Sequence, residues 1–270
     1  MLSEIDSANN LVELFLKRAD EKGDQPFLGA KREGGWQTIS WRETAEQVCL
    51  LAENLRGLGL KDGDRVCLVS ENRPEWCIAD LAIMAAGCVT VPAYITNTER
   101  DHVHILDNSG ARAVIVSTAK LLRPLHGALQ ASGVAEHVIG IDDLHRQQSG
   151  SFGYYNWATM LEGDPAAARA AVENRIAAIG RGDTACIIYT SGTGGAPRGV
   201  RQHHGANGSS PSSRSAMPMS TRAGSSCRSV WARRSITPKG SRSSPAISRK
   251  PAPRSWLSSR ACSRSCGPGS

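Results

Sequence analysis

Long apolar runs are missing from this 270-residue sequence: none approaches the roughly 20 residues a helix needs to cross a bilayer. The first residues, MLSEIDSANNLVELF, lack a basic stretch followed by an apolar one, so no secretory leader is expected. Metal-binding cysteine patterns are missing too. Cys49, Cys67, Cys77, Cys88 and Cys186 are scattered through apolar segments, with no C-x-x-C pair and no histidine spacing suited to zinc. They read as small core residues, and a soluble, reducing, cytoplasmic setting is the expectation. Acidic residues, finally, are missing from 207 to 270, where ten Arg and two Lys give +12 against an overall charge of +7. The first 206 residues therefore carry −5 and have the composition of an ordinary globular sequence.

Within that first part the most informative stretch runs from Thr184 to Val200, TACIIYTSGTGGAPRGV. The apolar run Ala185 to Tyr189 reads as a short buried strand, and Thr190-Ser191-Gly192-Thr193-Gly194-Gly195 as a small, hydroxyl-rich loop. Glycines let backbone N–H groups approach an oxyanion, and the hydroxyls of Thr190, Ser191 and Thr193 add donors. Arg198 supplies positive charge. The spacing fits neither the Walker loop nor the Rossmann fingerprint. A Gly/Ser/Thr linker is the bland alternative, but Pro197 followed by a basic residue at this spacing is rare in linkers. The stretch closely resembles the phosphate-binding loop of AMP-forming acyl-CoA synthetases and other adenylate-forming enzymes, usually TSGTTG-x-PKGV. Gly194 departs from the usual Thr and Arg198 from the usual Lys. The first change removes a donor; the second keeps the charge in a planar fork.

The preceding sequence alternates strand and helix at βαβ distances, which predicts a parallel sheet covered on both faces. An amphipathic helix over Asn10 to Lys22 ends at Gly23; strands at Pro26 to Lys31 and Gly35 to Ser40 flank Glu33-Gly34. Ser40 and Glu43 form a capping box for the next helix. Further strands are expected at the end of Leu58 to Val69, then at Gly87 to Pro92, Ala113 to Ser117 and His137 to Ile141. Helices are expected to open at Asn72-Arg73-Pro74-Glu75, with the almost wholly apolar Trp76 to Ala86 buried on most faces, and near Glu99 to Ser109 and Lys120 to Ala131. Gly57-Leu58-Gly59, Gly63-Asp64-Arg65-Val66, Asn72 with Glu75-Trp76, Gly87 with Val91-Pro92, Leu106 with Ser109-Gly110, and Gln202-His203-His204 recur in this order in acyl-CoA synthetases, most closely in the long-chain fatty-acid group. The resemblance covers roughly Leu11 to His204.

Other polar residues suggest less. His102 and His104, two apart, face different sides of a helix and are not expected to share a metal. Asp142-Asp143 follows a strand and could sit at a sheet edge near a ligand, but reads rather as a solvated turn. Trp36, Trp41, Trp76 and Trp157 read as core or half-buried anchors rather than a base-stacking platform.

From Asn207 onward hydrophobic periodicity ends and 20 of the 64 residues are Ser. One reading is a disordered basic arm that binds nucleic acid or a membrane surface. A shifted reading frame explains more. If the true codon is the third base of one residue plus the first two of the next, a TCN serine conceals an NTC codon, which encodes Phe, Leu, Ile or Val. Permitted codons over Ser212 to Gly267 yield a sequence beginning FLPLSHAYEHTGGQFLPIGLG, which resembles the stretch after the phosphate loop in long-chain acyl-CoA synthetases.

Expected, then, is an α/β chain: residues 1–206 as the N-terminal part of the adenylate-forming large domain, and 207–270 as a disordered, frameshifted tail. The resemblance implies a fatty-acid–CoA ligase using ATP, Mg²⁺ and coenzyme A, with Thr190, Ser191, Gly192, Thr193, Gly194, Gly195 and Arg198 at the phosphates and Arg198 acting in the reaction. The family's later adenine, ribose and lysine motifs are not found, so the chain is expected to be an inactive fragment that binds ATP weakly at most. Its partners would be small molecules, with peripheral membrane contact through a lipid substrate and no specific nucleic acid.

Overall fold

Helix α1 (Leu11–Lys22) begins where Asn10 accepts a hydrogen bond from the Glu13 amide and turns Val12, Phe15, Leu16 and Ala19 inward. The computed structural model describes residues 8–32, 34–144, 152–190 and 197–205. Strands β1 (Pro26–Arg32) and β2 (Gly35–Ser40) form a separate antiparallel hairpin. Ser40 then starts α2 (Trp41–Gly57) through the reciprocal bonds with Glu43 that the sequence predicts. Phe27 on β1 stacks on Trp41, with ring centroids 3.7 Å apart, which ties the hairpin to this helix.

A seven-stranded sheet follows. In chain order its strands are β3 (Arg65–Val69), β4 (Val89–Pro92), β5 (Ala111–Val116), β6 (His137–Gly140), β7 (Gly153–Asn156), β8 (Thr184–Thr190) and β9 (Arg198–His203); across the sheet the order is β7-β6-β5-β3-β4-β8-β9. Every pairing is parallel except β8 with β9. The expected parallel sheet is thus mixed at one edge, because a short connection can only return the chain antiparallel. Crossovers run through α3 (Pro74–Ala85), α4 (Glu99–Ser109), α5 (Ala119–Ser132) and α6 (Pro165–Ile176).

Central β3 and β5 are apolar along nearly their whole length, as strands covered on both faces must be. Val114, Val116, Leu122, Leu125, Leu129 and Val138 lose their contact with water in one cluster beneath α4 and α5. Each such side chain contributes roughly 1.5–3 kcal/mol of burial free energy. No residue of α3 is fully exposed, as its composition requires. Of the cysteines read as core, Cys49, Cys67 and Cys88 are buried, and desolvation pushes each thiol up to about 12; Cys77 and Cys186 are half-buried.

Two expectations need correction. Trp36 is 74% exposed rather than an anchor: it stands opposite Lys31 on the face of the hairpin where Gly29 and Thr38 are also exposed. Strand β8 is not buried throughout, since only Ala185 and Tyr189 are; its outer neighbour β9 is a mostly exposed edge strand. Asp142-Asp143 is exposed at a bend, as expected, and Asp142 also pairs with Arg73 at 2.9 Å. The segment from 207 to 270, read as a tail, lies outside the described residues.

Candidate phosphate-binding site

Strands β3 to β8 run the same way, so their carboxyl ends share one edge of the sheet, where ligands of open parallel sheets bind. Thr190 ends β8 at that edge. The antiparallel return of β9 sets Arg198 directly opposite Thr190, with Tyr189 opposite Gly199 and Ile188 opposite Val200. The hairpin neck therefore carries two of the seven sequence-predicted residues side by side, Thr190 half-buried and Arg198 exposed. Ser191, Gly192, Thr193, Gly194 and Gly195 lie outside the described residues. Among the described residues no carboxylate pairs with Arg198.

Close packing fixes the neck. A Cβ on Gly199 would stand 2.8 Å from Ile187 Cγ2 and 3.3 Å from the Tyr189 ring, so only glycine lets β9 lie this near β8. Two side chains of α4 bind the neck from beneath. Tyr189 donates its hydroxyl to Asn108 Oδ1 at 2.6 Å, and His104 Nε2 lies 2.7 Å from the Pro197 carbonyl oxygen. A carbonyl can only accept, so His104 carries its proton on Nε2. Burial also holds the Tyr189 phenol above its ordinary pKa, so the hydroxyl stays a donor.

Elsewhere on the carboxyl edge, β4 and β5 flank β3 on opposite sides, which makes the β3–β5 junction a topological switch point. It is occupied by protein: Ser117 donates to Glu71, while Arg73 bonds Glu75 at 2.8 Å and Asp142 at 2.9 Å. Tyr94 and Ile95, just past β4, are 43% and 47% exposed, large apolar groups at the same edge that sequence reasoning missed. Their signal was available, as two bulky residues immediately beyond the strand-ending Val91-Pro92.

A cavity of about 710 Å³ lies along the β8–β9 face and includes Arg65, Arg175, Arg201, Asp183, Tyr189 and His204 in its lining. Two of its arginines are already engaged. Arg65 donates to the carbonyls of Ser109 and Gly110 at 2.6 and 2.9 Å, ending α4, and Arg175 to the Ala85 carbonyl at 3.1 Å and Glu53 at 2.6 Å. They finish helices rather than wait for a ligand. His102 is buried and His104 is committed to Pro197; among the described residues no three His, Cys, Asp or Glu side chains gather to hold a metal.

Comparison with known proteins agrees with this geometry. The model of the AMP-binding enzyme family matches residues 15–226. The long-chain-fatty-acid–CoA ligase FadD15 of Mycobacterium tuberculosis is 32% identical over 186 residues, covering 67% of this chain and 29% of that protein. A benzoate CoA ligase from Burkholderia xenovorans has a TM-score of 0.58 at 25% identity, over 73% of this chain and 35% of the other. The adenylation domain of a carboxylate reductase from Mycobacterium chelonae has a TM-score of 0.60 at 18% identity, over 75% and 36%, and shares the fold. This chain thus spans less than a third of the length of FadD15.

Proposed function

Because this chain belongs to the AMP-binding enzyme family, we propose that it carries the polyphosphate-gripping part of a long-chain fatty-acid–CoA ligase. In that reaction a carboxylate attacks the α-phosphate of ATP and expels pyrophosphate; the thiol of coenzyme A then takes the acyl group and AMP leaves. The observation that carries this reading is the register pair Thr190 and Arg198 at the carboxyl edge of the sheet.

Roles follow from chemistry. Arg198 neutralises the β- and γ-phosphates and, being charged and forked, holds two oxygens at once. Thr190 offers a hydroxyl at the neck, and the amides and hydroxyls of Ser191, Gly192, Thr193, Gly194 and Gly195 complete the grip in this reading. Mg²⁺ would accompany the nucleotide and share its charge. The FadD15 likeness supports a long-chain acid as the other substrate. Such a substrate would bring the protein to a membrane surface.

The test is calorimetric titration of the full chain with Mg·ATP. Arg198→Ala removes a charge-assisted hydrogen bond worth about 1.5–3 kcal/mol and should weaken binding roughly ten- to a hundredfold. Arg198→Lys keeps the charge and should stay within about threefold. Equal affinity of the alanine variant and the wild type would sink the reading.

We also propose that residues 1–206 are the family domain and that 207–270 are its continuation translated out of frame. Twenty serines and twelve basic residues without a single acid support this. Sequencing the DNA from the Ala206 codon to the Ser212 codon should reveal a one-base insertion or deletion after which the family's frame resumes. An alternative frame full of stop codons would end the idea.

A further inference from the structure

We propose that His104 is a positioning residue, which from α4 fixes the start of β9 and with it the Arg198 guanidinium. The inference rests on the phosphate-binding reading of Arg198 given above.

Pro197 immediately precedes β9 and lies beyond the last ladder pair, Thr190 with Arg198. Having no N–H, it can be held only through its carbonyl. His104 holds that carbonyl, across 93 residues of sequence, at 2.7 Å. Asn108, four residues on and therefore on the same helix face, holds the other side of the neck through Tyr189 at 2.6 Å. The His104 and Tyr189 rings meet edge to face, with centroids 6.1 Å apart and planes at 86°. Two arms from one helix thus grip both strands at the point where Thr190 and Arg198 face each other.

The helix that carries the arms is fixed at both ends. Thr98 and Asp101 form a reciprocal capping box at its start, Gly110 closes it in the left-handed conformation, and Arg65 holds its last carbonyls. Ile105 and Leu106, between the arms, are buried in the core. A rigid support with a short reach transmits its position to Arg198. His104 itself is only half-buried, so its bond adds little to global stability and acts on the neck.

The experiment uses the full 270-residue chain, titrated with Mg²⁺-tripolyphosphate and Mg·ATP, together with hydrogen exchange of the β9 amides. His104→Ala should weaken tripolyphosphate about three- to tenfold, the effect of one neutral hydrogen bond, and speed β9 exchange. His104→Gln, whose amide nitrogen can reach the place of Nε2, should restore both. Tyr189→Phe removes the second arm while keeping the ring, and decides the matter if the alanine variant does not fold: its β9 exchange must also quicken. A glutamine variant as impaired as alanine, or a Tyr189→Phe protein with unchanged exchange, overturns the proposal. Wild-type binding that His104→Ala leaves intact overturns the positioning role alone; no tripolyphosphate binding by the wild type overturns the phosphate reading and this inference with it.

Discussion

Asn10 offers a sharp test of how the chain is held together, because one buried amide serves two elements far apart in sequence. It is 3% exposed. Its Oδ1 accepts from the Glu13 amide at 2.8 Å, capping α1, while Nδ2 donates to the carbonyls of Ile176 at 2.9 Å and Ile179 at 3.1 Å, at the end of α6. Asn10→Ala removes the cap, worth about 1 kcal/mol. It also strips a donor from two carbonyls. Ile176 keeps a second partner, the Ile179 amide at 3.0 Å, so its loss is partial; Ile179 meets more of the roughly 1–3 kcal/mol cost of an unpaired buried acceptor. The expected total is about 2–4 kcal/mol, a large share of the 5–15 kcal/mol typical of a folded domain. Asn10→Asp separates the two functions, since aspartate caps as well as asparagine but turns an oxygen toward both carbonyls. It should therefore be at least as destabilising as alanine. Urea unfolding followed by far-UV circular dichroism, with unchanged m-values, measures both. An aspartate variant within about 0.5 kcal/mol of wild type would show that capping alone matters and that the clamp on α6 does nothing.

Two further outcomes are expected. Gly199→Ala should push β9 away from Ile187 and Tyr189, costing about 1–3 kcal/mol locally and weakening Mg·ATP binding; β9 amide exchange as slow as in the wild type would contradict this. Acid should destabilise the protein before its carboxylates titrate. Burial lowers the pKa values of His102, His137 and His204 from 6.5, so the folded chain keeps them neutral while the unfolded chain takes up protons. Their stability contribution is complete above about 6.5 and falls as the pH drops toward the lowered folded values, so the urea midpoint should decline from pH 7 to pH 5; a flat midpoint there would refute the argument.

Helix boundaries were legible because their chemistry is local. Asn10, the Ser40 and Glu43 pair, and Pro74 each mark a start in the sequence, and the structure begins α1, α2 and α3 there. Strands β3 to β6 were legible because full burial demands an unbroken apolar run. What went unseen depends on partners. Strand β9, RGVRQH, has no apolar alternation; it is a strand because β8 offers it a ladder. Strand β7 and helix α6 were also missed, although Asp164 before Pro165 was an available helix start. The sheet order was not legible either, because crossovers decide it. At the candidate site, Thr190 and Arg198 were named from the loop's composition and its family resemblance, but their facing each other came from register, and the contacts of His104 and Asn108 from tertiary packing.

The incomplete cover on β8 bears on the proposed change of frame. Ile187 and Ile188 sit in the second strand from the sheet edge, yet both are half-buried, and Val200, paired with Ile188, is 40% exposed. Burying three such side chains fully would add a few kcal/mol in all, so a sequence shaped to cover them gains from doing so. In the register of the chain, 207 to 270 holds 20 Ser, ten Arg and two Lys among 64 residues and few large apolar side chains. In the proposed alternative register each TCN serine codon would lend its first two bases to a codon for Phe, Leu, Ile or Val. A basic arm for nucleic acid would account for the charge of 207–270 alone, whereas the proposed displaced base would account for its charge and its serine richness together.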